Sequence, residues 1–394
     1  MVMKIHNIAD IKVPKEHSPV VFVTGVTGQD GSHMVDYLLK EQKVFVIGGA
    51  RRLSVENHHN IKHLENHPRF QLVNFDLTDS HSIYKLMEVS QADYFINFAA
   101  QSFVASSWDF ARQTWQTNST AVLDCLEAIR KVKPTCRFYN AGSSEEFGNV
   151  VYSPQDENHP MRPRSPYGAS KVAARQLVKV YRESYGLYAV QGWLFNHEGT
   201  RRGTEFVTRK ITQGVAKIKR ALTKNQSFES IKLGNLDAKR DWSDAEDMVD
   251  AVWRMLNQDT YCPLHQTENN KYVDPRKYSG KELSKYIKDY VVSSDVNHSI
   301  RDFVSESFKT AGIEGFWDYN EEIGIGNPLA EEFDYVDSLR EQGYTLVEVD
   351  PKFYRPAEVD TLVGNSSLIR NELGWQPKTS FDQLVKKMVE NDLK

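Results

Sequence analysis

The chain has 394 residues, enough for two domains or for one large domain with an appendage. Lys and Arg total 49 against 53 Asp and Glu, a formal charge of -4, and this balance argues against sequence-independent nucleic-acid binding, which needs a basic field. Hydrophobic residues at 40% and charged residues at 26% fit a globular chain with a core and exclude general disorder or fibrous structure.

Residues 1–17 mix charge with isolated apolar positions and read as a loose extension, without the apolar core of a signal peptide. Val20–Thr24 is a compact apolar strand. It runs into Gly25-Val-Thr27-Gly28-Gln29-Asp30-Gly31 and then Ser32–Glu41, whose Met34, Val35, Leu38 and Leu39 fall at amphipathic-helix spacing. Glycines allow a tight turn, and the free N–H groups of the helix start suit a pyrophosphate. Three glycines alone suit any strand-to-helix turn; the strand–turn–helix context selects the dinucleotide reading. Val44–Ile47 is the next strand and leads to Arg51-Arg52. A carboxylate there would grip a ribose 2′-hydroxyl, whereas two guanidiniums suit a 2′-phosphate and point to NADP. A solvated arginine pair is the alternative.

Gln71–Phe75 is a strand. Asp76-Leu77 after it reads equally as an adenine-flanking pair or as the N-cap of a helix over Leu77–Val89. Tyr94–Phe98 and Arg137–Ala141 are strands, with a helix over Thr117–Lys131 between them. The second of these strands leads to Gly142-Ser143-Ser144-Glu145-Glu146. A hydroxyl at the tip of a parallel strand faces the ligand crevice, so Ser143 can bond a reacting oxygen. Glu145 suits removal of a carbon-bound proton, and Glu146 reads as a helix-start or loop-surface carboxylate. Tyr167-Gly-Ala-Ser-Lys171 opens a helix over Tyr167–Ser184. Residues four apart share a helix face, so the ammonium can lower the pKa of the phenol and let it act as a base.

Alternating β and α units over 18–194 imply an α/β fold, a Rossmann-type doubly wound parallel sheet. Beyond Leu194 the pattern is irregular. A smaller α/β substrate-binding domain is expected over 195–394, with some segments returning to the first. It includes a helix at Lys281–Tyr290, a loop at Asn320–Pro328 and a terminal helix at Asp382–Asn391. Cys125, Cys136 and Cys262 form no C-x-x-C pair, which argues against a zinc ribbon or a disulfide scaffold. No apolar stretch approaches the ~20 residues of a membrane span. A cytoplasmic chain with no metal, nucleic-acid or membrane partner is expected.

Gly25–Gly31, Ser143-Ser144-Glu145 and Tyr167-x-x-x-Lys171 together resemble the extended short-chain dehydrogenase/reductases. Leu194–Glu198, Arg201-Arg202-Gly203, Phe206–Ile211, Leu233–Trp242 and Phe353–Asp360 resemble, within that group, the GDP-mannose 4,6-dehydratase family. The resemblance runs from about Val20 to the C-terminus with one gap. It implies a lyase that converts GDP-mannose to GDP-4-keto-6-deoxymannose by internal hydride transfer through bound NADP. In it Ser143 binds the reacting hydroxyl, Tyr167 is the base, Lys171 its electrostatic partner, and Glu145 takes the proton on carbon 5. It further implies cofactor contacts at Gly25, Thr27, Gly28, Gln29, Asp30, Gly31, Arg51, Arg52, Asp76, Leu77, Phe98, Ala99, Ala100, Gln101, Ser102, Lys171, His197 and Arg202. Substrate contacts are implied at Ser144, Asn196, Val207, Lys210, Leu233, Gly234, Arg240, Arg355 and Glu358, and assembly as a homo-oligomer, dimer or tetramer.

The rival reading is a dehydratase or epimerase acting on another nucleotide sugar. A cofactor-binding protein without catalysis is a different class, disfavoured because the tyrosine, lysine and glutamate are all present. The chain also departs from the family pattern. Ser143 replaces a usual threonine and keeps its hydroxyl, while Gly142 replaces a common serine and is expected to loosen the strand end. Gln113 replaces a cofactor-contacting tyrosine, and Asn57–Asn60 alters a loop that supports tetramers in the family. An insertion of roughly 25–30 residues lies between Thr260 and Tyr290, a length that belongs in a surface loop.

Overall fold

The computed structural model describes residues 3–13, 19–52, 54, 57–262, 265–266, 272–319, 333–337, 344–353 and 361–394. One sheet is built from β1 (Val20–Thr24), β2 (Phe45–Ala50), β3 (Phe70–Asn74), β4 (Tyr94–Asn97), β5 (Arg137–Ala141), β6 (Ala189–Leu194) and the much later Val291–Val292. Its spatial order is Val291–Val292, β6, β5, β4, β1, β2, β3, and every pairing is parallel. All five residues of β1 are buried, which is why its sequence is a continuous apolar run. The pleat sends alternate side chains to opposite faces. Val21, Val23, Val46 and Ile96 meet a core closed by α1 (Gln29–Glu41) and by the helix Ala245–Leu256. Phe22, Ile47, Phe95 and Phe138 meet a core closed by α2 (Ser80–Ser90), α3 (Ala121–Val132) and α4 (Pro166–Tyr185). This is a Rossmann-type doubly wound sheet.

The residues after β6 form two four-stranded sheets and a short antiparallel pair, His265–Gln266 with Tyr272–Val273. Lys239–Asp244 takes Asn196–Glu198, Asn297–Ser299 and Thr361–Leu362 as neighbours. Ile231–Leu233 pairs with Thr345–Val349, which joins the hairpin Gly315–Tyr319 and Phe333–Asp337. Helices Val207–Thr223, Ile300–Thr310 and Phe381–Leu393 enclose a third core with Ile211, Trp242, Phe303 and Leu384. The last two helices start in capping boxes at Ser299 and Ser380, which satisfy their first N–H groups.

Several expectations need correction. Residues 1–17, expected to be loose, are docked where described. The His6 N–H donates to Leu72 O at 2.9 Å, the Asn74 N–H donates to His6 O at 2.8 Å, and Met3 and Ile8 are buried. An open sheet edge at β3 offers backbone partners to such a segment. The helix expected over Leu77–Val89 starts only at Ser80, because Asp79 caps it by accepting from the His81 N–H while Leu77 turns into the core. The helical path expected from Thr117 begins at Ala111 and passes a wide turn at Gln116–Thr120. Lys281–Tyr290 is α-helical only over Gly280–Ser284, and apolar Tyr290–Val292 is drawn to the edge of the main sheet. The Asn320–Pro328 loop lies outside the described residues. Among the described residues no helix is long and apolar enough to cross a membrane.

Beneath the tip of β5 lies a buried ion pair. Arg175 Nε donates to Glu146 Oε2 at 2.5 Å, with the two side chains 3% and 0% exposed. Asp289 lies 3.5 Å from Arg175 and also pairs with Arg182, while the Arg175 guanidinium stacks 3.5 Å over the Trp193 ring. Removing one partner of such a pair strands a buried charge. Arg175→Leu should therefore lower the free energy of unfolding by about 3–5 kcal/mol, read as a lower urea midpoint. An unchanged midpoint would mean that the buried pair contributes nothing to stability.

Candidate active site

After β5 the chain makes one short helical turn, Ser144–Glu146, capped by Ser143. Ser143 Oγ accepts from the Glu145 N–H at 3.2 Å, and the Ser143 N–H donates to Glu146 Oε1 at 2.9 Å. Ser143, Ser144 and Glu145 line a cavity of about 740 Å³, whereas Glu146 is fully buried beneath. Of the two readings of Glu146, the helix-start carboxylate holds and the surface carboxylate does not. Gly142 does not loosen the strand end. A Cβ there would lie 2.1 Å from the Gly192 carbonyl oxygen, so glycine is what lets β5 close on β6 at this point.

Tyr167 and Lys171 enter the same cavity from the first two turns of α4, which Ser165 caps by accepting from the Gly168 N–H at 3.0 Å. Lys171 Nζ donates to the Ala141 carbonyl at 2.7 Å and stands 5.7 Å from the centre of the Tyr167 ring. The expected lowering of the phenol by Lys171 is not what this arrangement produces. Burial pushes the Tyr167 phenol up, and the opposing influences are its hydrogen bond with Ser143 and the charge of Arg202. The nearby charges of Glu145 and Glu146 add to the rise. Burial also brings Lys171 down to about 8, against the charges of Glu146 and Asp30. The physical reason is burial among protein atoms, which penalises any charge held there.

The glycine turn lies beside this cavity. Gly25 has a φ of +65°, and a Cβ there would come within 2.8 Å of Ala99 N, so the turn is open backbone that only glycine supplies. The Gly28 N–H closes it onto Gly25 O at 2.9 Å, and α1 begins at Gln29 with Gly31 buried in its first turn. The Thr27 carbonyl accepts from Asn60 Nδ2 at 2.9 Å. Asp30 pairs with His197 at 3.0 Å, and His197 Nδ1 lies 2.7 Å from Phe195 O. Burial alone would raise Asp30, but the charge and hydrogen bond of His197, with Arg202 nearby, hold it well below the usual carboxylate range. His197 is raised by Asp30 against its own burial.

Phe98, Ala100 and Ser102 line the cavity; Ala99 and Gln101 do not. Gln101 is instead clamped to Asn118 through its backbone N–H and carbonyl. Arg51 and Arg52 are exposed at the end of β2. Asp76 is not a helix cap, since its Oδ1 accepts from the Thr78 N–H at 2.9 Å and hydroxyl at 2.8 Å. The Leu77 side chain belongs to the apolar core, which leaves its backbone as the part that could flank a ligand. Gln113 is exposed and outside the cavity lining.

Asn196, Val207, Lys210, Leu233, Gly234 and Arg240 line the same cavity. Lys210 Nζ sits 3.6 Å over the centre of the Phe353 ring, and burial, then the charge of Lys352, lowers its pKa. Arg202 pairs with buried Glu198 at 2.9 Å and stacks 3.5 Å over Phe206. Arg355 and Glu358 lie outside the described residues. Sequence reasoning missed Trp108, Asp109, Glu205, Asn235 and Lys352 in the lining. Phe206, Trp242 and Phe353 also line it; they stood within recognised strings, which was the available signal. Trp108 and Asp109 stand in no motif.

The family model for GDP-mannose 4,6 dehydratase matches residues 22–274 and 282–388, leaving unmatched only a short piece of the expected insertion between them. A GDP-mannose 4,6-dehydratase of Vibrio cholerae is 39% identical over 388 residues, covering 95% of this chain and 93% of that one. The GDP-mannose 4,6 dehydratase of Homo sapiens is 38% identical over 386 residues, covering 95% and 91%. Among solved structures, dTDP-glucose 4,6-dehydratase from Bacillus anthracis in complex with NAD superimposes with a TM-score of 0.69 at 18% identity, covering 95% and 96%. That likeness speaks for the fold, and the sequence relatives speak for the family. The chain belongs to the GDP-mannose 4,6-dehydratase family.

Proposed function

We propose that this chain eliminates water from GDP-mannose to give GDP-4-keto-6-deoxymannose, as a lyase with NADP bound in its cleft. The observation that carries the reading is Glu145 beside Ser143 and Tyr167, in one cavity with Lys210, Arg240 and Lys352. Oxidation of an alcohol needs no carboxylate next to its serine and tyrosine; elimination does. The Gly25 turn and the start of α1 fit a diphosphate. The exposed Arg51 and Arg52 fit a 2′-phosphate. Asp30, Phe98, Ala100, Ser102, His197 and Arg202 border the same space.

A nicotinamide dinucleotide held by the Gly25 turn, Asp30, His197 and Arg202 would supply a hydride acceptor for carbon 4 of the sugar and a hydride donor for carbon 6. Tyr167 takes the proton of the carbon-4 hydroxyl, which Ser143 holds by a hydrogen bond. Lys171, when protonated, offsets the phenolate charge. The ketone at carbon 4 acidifies the proton on carbon 5. Glu145 takes that proton and passes one to the carbon-6 oxygen, which leaves as water, and Tyr167 gives its proton to carbon 5 as carbon 6 receives the hydride. Lys210, Arg240 and Lys352 oppose the charge of the diphosphate, with Arg355 and Glu358 placed there by resemblance. Ser144, Asn196, Val207, Leu233 and Gly234 shape the sugar-nucleotide site. The three buried free cysteines fit a cytoplasmic enzyme. Exposed Phe110, Trp115 and Tyr185 favour a homo-oligomer, dimer or tetramer.

Glu145→Gln should slow product formation by about 10²–10⁴-fold while dinucleotide affinity, measured by titration, stays at the wild-type value. Full turnover in that variant would remove Glu145 from the reaction. Replacing Arg51 and Arg52 together by alanine should weaken NADP binding by about 10–100-fold, the scale of hydrogen bonds to a charged group, and leave NAD binding unchanged. Equal losses for both dinucleotides would place the arginines elsewhere than on a 2′-phosphate.

A further inference from the structure

A row of buried polar side chains crosses the carboxyl end of the sheet. Thr24, Asn97, Asn140 and Gln191 stand on the neighbouring strands β1, β4, β5 and β6, each 2% exposed or less. The register sets them side by side, with Thr24 opposite Asn97, Asn97 opposite Asn140 and Asn140 opposite Gln191. The Thr24 hydroxyl donates to Asn97 Oδ1 at 2.6 Å. Asn97 Nδ2 donates to Asn140 Oδ1 at 2.8 Å, and Asn140 Nδ2 to Gln191 Oε1 at 2.7 Å. Gln191 Nε2 then donates to Glu146 Oε1 at 3.1 Å.

Every donor points the same way, and the far end dictates it. An ionised Glu146 can only accept. Gln191 must therefore present its NH₂ to the carboxylate, which turns its carbonyl toward Asn140. The same choice passes to Asn140 and then to Asn97. The Thr24 hydrogen is used on Asn97, so the Thr24 oxygen is left as an acceptor. It accepts from the Ala99 N–H at 3.1 Å. Ala99 packs on the Gly25 turn, and its neighbours Phe98 and Ala100 line the cavity. At the other end, Glu146 also accepts from the Ser143 N–H, and Gln191 Nε2 also donates to the Lys171 carbonyl at 3.0 Å.

The backbones of these strands already pair without help, and apolar side chains would cost less to bury. Aligned hydrogen bonds ending on a buried charge polarise and strengthen one another. We propose that Thr24, Asn97, Asn140 and Gln191 are positioning residues. They carry the fixed acceptor of Glu146 across the sheet and hold the Ala99 edge of the dinucleotide cleft in register with Ser143 and Lys171. This rests on the dinucleotide-dependent reading of the site given above.

The test is a double-mutant cycle in dinucleotide affinity, using whichever of NADP and NAD binds the wild-type chain more tightly. The variants are Thr24→Val, Asn140→Leu and the two combined, with Thr24→Ser as the conservative control. None of these side chains lines the cavity. Each single variant should bind about tenfold more weakly, and Thr24→Ser should stay within about twofold of wild type. The combined variant should lose about tenfold, not a hundredfold, because a row already cut loses little when cut again. Thr24 and Asn140 are two strands, roughly 10 Å, apart, where independent effects add. Additive losses, or wild-type affinity in the single variants, overturn the proposal. If Asn140→Leu does not fold, hydrogen exchange decides. The 98–102 segment should exchange faster in Thr24→Val than in wild type, and unchanged exchange overturns the proposal. Coupled losses in a protein that leaves GDP-mannose unchanged would sink the functional reading alone. Additive losses in a protein that dehydrates GDP-mannose would sink this inference alone.

Discussion

Glu146 is a carboxylate with no contact with solvent, and a charge so placed persists only where cations and donors surround it. Arg175, Gln191 and the backbone N–H of Ser143 supply that surrounding. Much of the site follows from this constraint. The bond to Ser143 fixes the cap of the short turn, and the cap places Ser143 and Glu145 at the cavity wall. Arg175 comes from α4, the helix that also carries Tyr167 and Lys171. One buried pair therefore locks the serine and glutamate of a strand tip to the tyrosine and lysine of a helix.

The burial that encloses this pair also disturbs the other titrating groups. Burial pushes Tyr167 up and brings Lys171 down, so both resist charging. Asp30 and His197 escape this because they neutralise each other at 3.0 Å. The cavity thus pairs a settled ion pair beside the glycine turn with a reluctant acid–base set at the strand tip.

Much of this was legible in the sequence, for a local reason. The glycine turn, Ser143, Glu145, Tyr167 and Lys171 each sit within a few residues of a strand end or helix start, where spacing alone assigns the face. The partner of Glu146 was not legible, because Arg175 lies 29 residues away on another element. The docking of His6 on β3 was hidden for a different reason, since it uses backbone groups that no side-chain pattern reports. Val291–Val292 is a two-residue strand, too short to show a period. Leu77 reads as the start of a helix, yet its side chain is captured by the core and the helix starts at Ser80.

Elimination at carbons 5 and 6 of GDP-mannose is tested most directly by incubating the purified chain with GDP-mannose and NADP in D₂O and following the sugar by NMR. The hydroxymethyl group should give way to a methyl group, carbon 4 should become a ketone, carbon 5 should carry deuterium, and no reduced dinucleotide should accumulate. Recovery of unchanged GDP-mannose, or a product that keeps its carbon-6 hydroxyl, would contradict the account.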